Sequence, residues 1–211
     1  VSLKVLDNRG MGKEENVITG LHWIIDNGKR YGIRVVNLSF GTLSNDERAG
    51  KRLTDEVELL WNLGYVVVAA AGNNGPGANS ISTPGDCKKI ITVGADNDNV
   101  KVFVNGKYTY NYSGRGPTKQ CIIKPDIVAP ANKIISCSNL WQKGYSYVVK
   151  SGTSMATPIV TGIVALMLNK KDKLTNVECK KILKENAIDM SMDKNRQGAG
   201  LVNANAILNI L

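Results

Sequence analysis

Short apolar segments alternate with helical patterns along most of the chain. Four such segments predict buried strands, at residues 3–6, 35–40, 65–71 and 90–94. Apolar residues at helical spacing predict helices at residues 17–28 and 53–60. Because strand and helix alternate, we expect an α/β fold: a largely parallel sheet between helices, with right-handed crossovers.

Capping and turn signals add three further elements. Residues 44–47 (SNDE) and 175–178 (TNVE) have the form of capping boxes, which open helices. The pair Asn105-Gly106 stands between strand-forming residues and predicts a hairpin, an insertion at about residues 100–112. A last short helix is predicted at residues 204–208.

The most informative stretch is GTSMATP at residues 152–158, which leads into the apolar run 159–168. A helix that is apolar nearly all round is buried, and this run ends too soon to span a bilayer. Since proline is tolerated in the first turn of a helix, Pro158 predicts a start near Thr153 or Ser154. The positive helix end suits a nucleophile whose reaction develops an oxyanion. The alternative is that one of these hydroxyls is an N-cap.

The string GTSMATP resembles the nucleophile motif of the subtilisin-like serine proteases, or subtilases, which implies that Ser154 is the nucleophile. Residues 66–75 (VVVAAAGNNG) resemble the segment that supplies the oxyanion-hole asparagine of bacterial subtilisins, here Asn73. An amide N–H stabilises the tetrahedral intermediate without adding a permanent charge. Taken alone, a Gly-Asn pair indicates only a turn. Residues 112–118 and 124–131 resemble further subtilase segments.

Residues 37–41 (NLSFG) resemble the substrate-binding strand of the family, which pairs with an extended peptide by β-addition. The turn at residues 10–12 would form the opposing edge. The resemblance implies these substrate-binding residues: Gly10, Met11, Gly12, Ser39, Phe40, Gly41, Ala70, Ala71, Gly72 and Thr153.

The mechanism also requires a base and a carboxylate that orients it. In subtilases a strand Asp and a helix His both precede the segments found here. The chain has one histidine, His22, which lacks the family motif and is interpreted as a helix residue; Asp7 is interpreted as a turn residue. We therefore expect residues 1–211 to form the C-terminal two-thirds of one subtilisin-like domain, nearly inactive alone. Its partner is an upstream segment, either continuous with it or a separate cleaved chain.

Composition excludes several other classes of protein. With 211 residues and 43% hydrophobic content, the chain can bury the core of one domain. The net charge of +9 comes from scattered lysines and arginines, which argues against nucleic acid as a partner, and no apolar run indicates a membrane partner. Four widely spaced cysteines argue against zinc and a disulfide framework, and are typical of an intracellular setting. The chain does not begin with Met, so targeting is left open.

The expectation that the protein binds a metal ion rests on the family resemblance alone. Subtilases often bind calcium, so calcium is implied in that way only, and no ligand set is assigned. Residues 96–99 (DNDN) are rich in oxygen but lack the spacing of a calcium loop, and predict a turn.

The sequence predicts a serine endopeptidase that works through an acyl-enzyme on Ser154. One alternative is a catalytically inactive pseudoprotease, a peptide-binding or regulatory module; the presence of both Ser154 and Asn73 argues against it. Another is an unrelated doubly wound enzyme, which would need a GxGxxG turn after its first strand. The turn after Leu6 has no such pattern.

Overall fold

The computed structural model describes residues 1–42, 47–104, 107–139, 142 and 144–211. The helices in this part of the chain are α1 (Glu14–Asn27), α2 (Glu47–Asn62), α3 (Thr153–Lys170), α4 (Asn176–Glu185), α5 (Lys194–Gln197) and α6 (Ala204–Ile210). The strands are β1 (Val35–Leu38), β2 (Val66–Ala70), β3 (Ile91–Ala95), β4 (Val102–Val104), β5 (Lys107–Thr109), β6 (Ile127–Ala129), β7 (Ile134–Cys137) and β8 (Tyr147–Lys150).

The central sheet has the strand order β1-β2-β3-β6, and all of its pairs are parallel. Val36 lies opposite Val67, and Val93 lies opposite Ile127. Every residue of β2 and β3 is buried, so helices cover both faces of the sheet. The predicted α/β architecture is confirmed, and the three sheet strands predicted at 35–40, 65–71 and 90–94 are present.

Helix α3 packs against β1, β2 and β3 and forms the centre of the core. Its residues Val160, Val164 and Met167 are fully buried, as expected for a helix that is apolar nearly all round. The helix begins at Thr153, as predicted, but Pro158 is its sixth residue and lies beyond the first turn. A proline there removes the N–H that would bond the carbonyl four residues earlier. Within the described residues, no helix is long and apolar enough to cross a membrane.

The strand predicted at residues 3–6 is wrong. These residues form no strand ladder with the described part of the chain. Leu3 and Val5 instead pack on α1, where a Cβ added to Gly20 would lie 2.9 Å from Val5 Cγ1. The apolar pattern identified a partly buried contact with a helix, but it carried no information about a hydrogen-bonding partner.

The capping box at the start of α4 is confirmed. The Thr175 hydroxyl accepts the Glu178 N–H at 3.2 Å, and the Glu178 carboxylate accepts the Thr175 N–H at 2.8 Å. The other predicted box, at residues 44–47, lies outside the described residues except for Glu47, the first residue of α2.

Two hairpins extend from the sheet. Strands β4 and β5 pair antiparallel as the Asn-Gly signal predicted, although the turn residues 105–106 lie outside the described part. The β7–β8 hairpin was not predicted, because its pairs mix polar and apolar side chains, as in Ser136 opposite Val148.

A buried charged triad, Lys124–Asp126–Lys180, ties β6 to α4. The Asp126 carboxylate lies 2.6 Å from Lys124 Nζ and 3.0 Å from Lys180 Nζ, and it also accepts the Thr92 N–H at 2.9 Å. Burial alone would raise the pKa of Asp126, but the two ammonium groups outweigh burial and hold it below its ordinary value. Burial and the charge of Lys124 lower the pKa of Lys180 to about 8.

The four thiols of the chain are unpaired. Cys121 and Cys137 are exposed, whereas Cys87 and Cys179 are buried. Burial raises the pKa of the Cys179 thiol to about 11, so this sulfur is protonated at neutral pH and packs as a small apolar side chain.

Candidate active site

The N-terminus of α3 presents Ser154 one residue inside the helix. Gly152 is the N-cap, with φ 140° and no side-chain cap, and Thr153 is the first helical residue. The N-cap alternative for Thr153 and Ser154 is therefore wrong, because both residues lie within the helix. The Ser154 side chain is partly exposed and does not serve as the helix cap. Its hydroxyl lies at the positive end of a buried helix.

Asn73 is held against this helix end through Thr153. Its side-chain oxygen accepts the Thr153 N–H at 3.0 Å and the Thr153 hydroxyl at 3.2 Å. The same hydroxyl accepts the Gly72 N–H at 3.2 Å. Because the oxygen faces two donors, the amide orientation is fixed and its NH₂ group faces the opposite way. That group lies above Gly152, 3.4 Å from the position of a Cβ there.

Glycine is required where the strand β2 turns toward Asn73. Gly72 has φ +87°, and a Cβ on it would lie 2.0 Å from Ser82 Oγ. A left-handed conformation and so close an approach both exclude a side chain. The turn therefore brings Asn73 to Thr153 because residue 72 has no Cβ.

The predicted substrate strand continues from the C-terminal end of β1. Ser39, Phe40 and Gly41 are partly or fully exposed, and Thr42 pairs with Thr83 through two backbone hydrogen bonds of 2.9 Å. Of the predicted pocket residues on the other side, Gly72 is partly exposed, but Ala70 and Ala71 are buried, at 1% and 0% exposure. The two alanines belong to the core in this structure and offer a substrate no surface.

No described contact joins the turn at residues 10–12 to residues 39–41. Among the described residues, the contacts of this turn run to residues 5–9, and Met11 donates its N–H to the Asp7 carboxylate at 2.9 Å. An open cavity of about 570 Å³ lies between residues 1–5 and β1, and of the predicted substrate-binding residues Phe40 lines it.

His22 and Asp7 have the structural roles expected from the sequence. His22 Nε2 lies 3.0 Å from Glu56 Oε2 on α2, and its ring is largely exposed. The Asp7 carboxylate accepts the N–H groups of Arg9 and Met11, and these bonds lower its pKa. None of the hydrogen bonds described for the side chains of His22 and Asp7 involves Ser154.

The oxygen-rich segment 96–99 does not fit a calcium ion. Asp98 is fully buried and accepts from Arg196 at 2.8 Å, from Arg115 at 3.1 Å and from the Ser113 N–H at 3.2 Å. Its neighbours accept backbone N–H groups of the same turn, as in Asn97 with Asn99. Two guanidinium groups beside Asp98 repel a divalent cation, so the turn interpretation holds.

The sequence profile of the subtilase family matches residues 1–200 of this chain. The chain belongs to the subtilase family. The serine protease AprX of Bacillus subtilis (strain 168) is 39% identical over 221 residues, which cover 97% of this chain and 50% of that protein. Subtilisin Savinase of Lederbergia lenta is 35% identical over 97% of this chain and 66% of its own length. This subtilase chain therefore spans only half to two-thirds of these two relatives.

Solved structures agree with the family. Sphericase superposes with a TM-score of 0.77 at 26% identity, over 94% of this subtilase chain and 66% of its own. The likeness extends over the sheet and the helices around it, so the subtilisin-like fold predicted from the sequence is confirmed.

A second cavity of this subtilase, of about 410 Å³, lies beside Ser154 and was not predicted. It is lined by Lys101, Val102, Phe103, Lys150, Ser151, Ser154 and Met155. The Asn-Gly signal predicted a hairpin insertion but not its position. Only the fold brings the insertion to the N-terminus of α3.

Proposed function

We propose that the full-length protein is a serine endopeptidase that hydrolyses peptide bonds through an acyl-enzyme on Ser154. The observation that carries this proposal is the fixed amide of Asn73 at the N-terminus of α3. Its oxygen is occupied by Thr153, and its NH₂ group lies above Gly152, at the same helix end as the backbone N–H of Ser154. Two such donors form an oxyanion hole.

Each residue then has a defined step. The Ser154 hydroxyl attacks the scissile carbonyl while a base takes its proton, and the carbonyl oxygen becomes an oxyanion. Asn73 and the Ser154 N–H stabilise that charge, aided by the positive end of α3. The base returns the proton to the leaving amine, and water then releases the acyl group.

The base and its carboxylate come, in this proposal, from a segment upstream of Val1. The support is the cavity of about 570 Å³ between residues 1–5 and β1, whose floor includes Leu21 and Ile24 of α1. Strand β1 pairs with β2 on one side, and its other edge faces this space. A strand seated there parallel to β1 would end near Ser39, at the carboxyl edge of the sheet where open α/β sheets bind ligands. A carboxylate at that end would lie within the site.

Labelling with a serine-directed fluorophosphonate tests the proposal. Intact mass should show one adduct on the folded full-length protein and none on residues 1–211 alone, because the chain alone lacks the base that activates Ser154. The matched control is full-length Ser154→Ala, which should remain unlabelled. Peptide mapping should assign the adduct to Ser154.

Two results would contradict the proposal. If the folded full-length protein stays unlabelled, the groove is a binding site without turnover. If residues 1–211 alone are labelled as fast as the full-length protein, the base lies within this chain and the upstream segment is not needed for it.

Thr153 is a positioning residue, since it holds the Asn73 amide through two contacts. In the full-length protein, Thr153→Val should lower kcat by roughly 3- to 10-fold, the effect of one hydrogen bond. In an Asn73→Ala background the same change should have almost no effect, because there is no amide left to orient. Equal losses in both backgrounds, measured by steady-state kinetics on one peptide, would show that Thr153 acts independently of Asn73.

A further inference from the structure

The cavity beside Ser154 is walled by the hairpin insertion. Val102 of β4 is buried in the core and anchors the hairpin, while Phe103 is 64% exposed. Phe103 lies opposite Tyr108 of β5, with their ring centroids 5.1 Å apart in an edge-to-face arrangement. This pair gives the wall a defined shape. Phe103 and Ser154 both line this cavity.

The charged residues that line this cavity are two lysines. Lys101 Nζ lies 4.7 Å from the Tyr108 ring centroid, a cation–π contact that keeps the ammonium group beside the hairpin. Lys150 is the last residue of β8, lines the same cavity and is exposed. Among the described residues no carboxylate lines the cavity, so the charges of its described lining are positive.

The cavity lies away from the predicted acyl side of the site. Its described lining includes none of the residues at 10–12, 39–41 and 70–72, but it does include Ser154. If the acyl part of a peptide lies along Ser39–Gly41, this cavity is the space beside Ser154 that remains for the part after the scissile bond. This is the part of the substrate that departs first, with the amine.

We propose that this cavity is the leaving-group subsite and that it selects substrates with a carboxylate side chain, Asp or Glu, in the first two residues after the scissile bond. The proposal rests on the proposed serine endopeptidase function. Lys101 and Lys150 attract the carboxylate, and the face of Phe103 packs against its methylene groups. The selection acts on acylation only, because the leaving peptide is gone before the acyl-enzyme is hydrolysed.

The test uses the full-length protein and internally quenched peptides that differ only at these two positions, with Glu, Gln or Lys. At low salt, kcat/KM should be roughly 3- to 10-fold higher for Glu than for Gln, and lower again for Lys, as expected for partly exposed ion pairs. The preference should shrink in 0.5 M salt, which screens exposed charges. The deacylation rate should be the same for all three peptides.

Variants assign the preference to the lysines. The double change Lys101→Glu with Lys150→Glu should reverse the order, so that the Lys peptide becomes the best. Lys173→Glu, an exposed residue outside the site, changes the charge of the molecule in the same direction and should leave the preference unchanged. A peptide p-nitroanilide places no residue in the cavity, and Lys173→Glu should cleave it as fast as wild type does.

The two proposals fail in different ways. If neither the p-nitroanilide nor any peptide is cleaved, the endopeptidase function is wrong. If all are cleaved and kcat/KM is equal for Glu, Gln and Lys, or if Lys173→Glu shifts the preference as much as the double variant, the subsite proposal alone is overturned.

Discussion

Replacing Asn73 by alanine should lower kcat of the full-length protein by roughly 10²–10³ and leave KM nearly unchanged. That magnitude was measured on a subtilisin, so it comes from a relative of this chain. The reason is that the amide N–H meets the substrate oxygen only when it carries the charge of the transition state. Steady-state kinetics on one peptide provide the measurement.

The substitution Asn73→Asp tests the role of the amide as a hydrogen-bond donor separately from the shape of the side chain. The carboxylate is isosteric with the amide and can keep its bonds to Thr153, yet it offers no donor and places a negative charge against the oxyanion. Its loss should be at least as large as that of Asn73→Ala. Asn209→Ala, at an exposed position of α6, serves as the control and should be neutral. Full activity of Asn73→Asp would rule out a donor role.

Replacing Asp126 by asparagine should lower the free energy of unfolding by about 3–5 kcal/mol, because it leaves a buried ammonium group without a counter-charge. Lys124 has a side chain only 1% exposed, and Asp126 is its carboxylate partner at 2.6 Å. Urea denaturation at pH 7 measures the change, in a Ser154→Ala background that prevents self-cleavage. Glu185→Gln breaks an exposed pair with Lys181 and should cost less than about 0.5 kcal/mol.

The same substitution predicts a pH dependence. The folded pKa of Asp126 lies below its ordinary value of 3.8, so its contribution is complete above that value and is lost as the pH falls through the folded pKa. The stability difference between wild type and Asp126→Asn should therefore be complete at mildly acidic pH and shrink below about pH 4. A difference smaller than 1 kcal/mol at pH 7 would mean that Lys124 finds other partners.

Much of the fold follows from local pattern. Strand β2 is a continuous apolar run, and its burial on both faces is what such a run predicts. The capping box before α4 contains its own hydrogen-bond partners within four residues, so the sequence is sufficient. Residues 3–6 show the limit, because a strand is defined by its neighbour and an apolar pattern does not reveal whether a neighbour is there.

The residues of the candidate site also fall into two groups: those that a local motif identifies and those that only the tertiary structure brings together. Ser154 and Asn73 each stand in a recognisable string, so a resemblance could name both. That resemblance could not tell that Ala70 and Ala71 would be buried, since their accessibility depends on packing. Lys101 and Lys150 are 49 positions apart and stand in no motif; tertiary structure alone brings them to one cavity.

The open edge of β1 has a consequence for the order of folding. In the central sheet, the spatial order of the strands, β1-β2-β3-β6, is the same as their order along the chain. These strands can therefore pair in the order of synthesis. A strand from upstream of Val1 would instead have to wait, unpaired, until β1 has been made more than thirty residues later. Such non-local pairing is slow, because the loop must close before any contact is gained. The proposed catalytic carboxylate would thus be synthesised before the sheet edge that receives it, so peptide cleavage could begin only once β1 is in place.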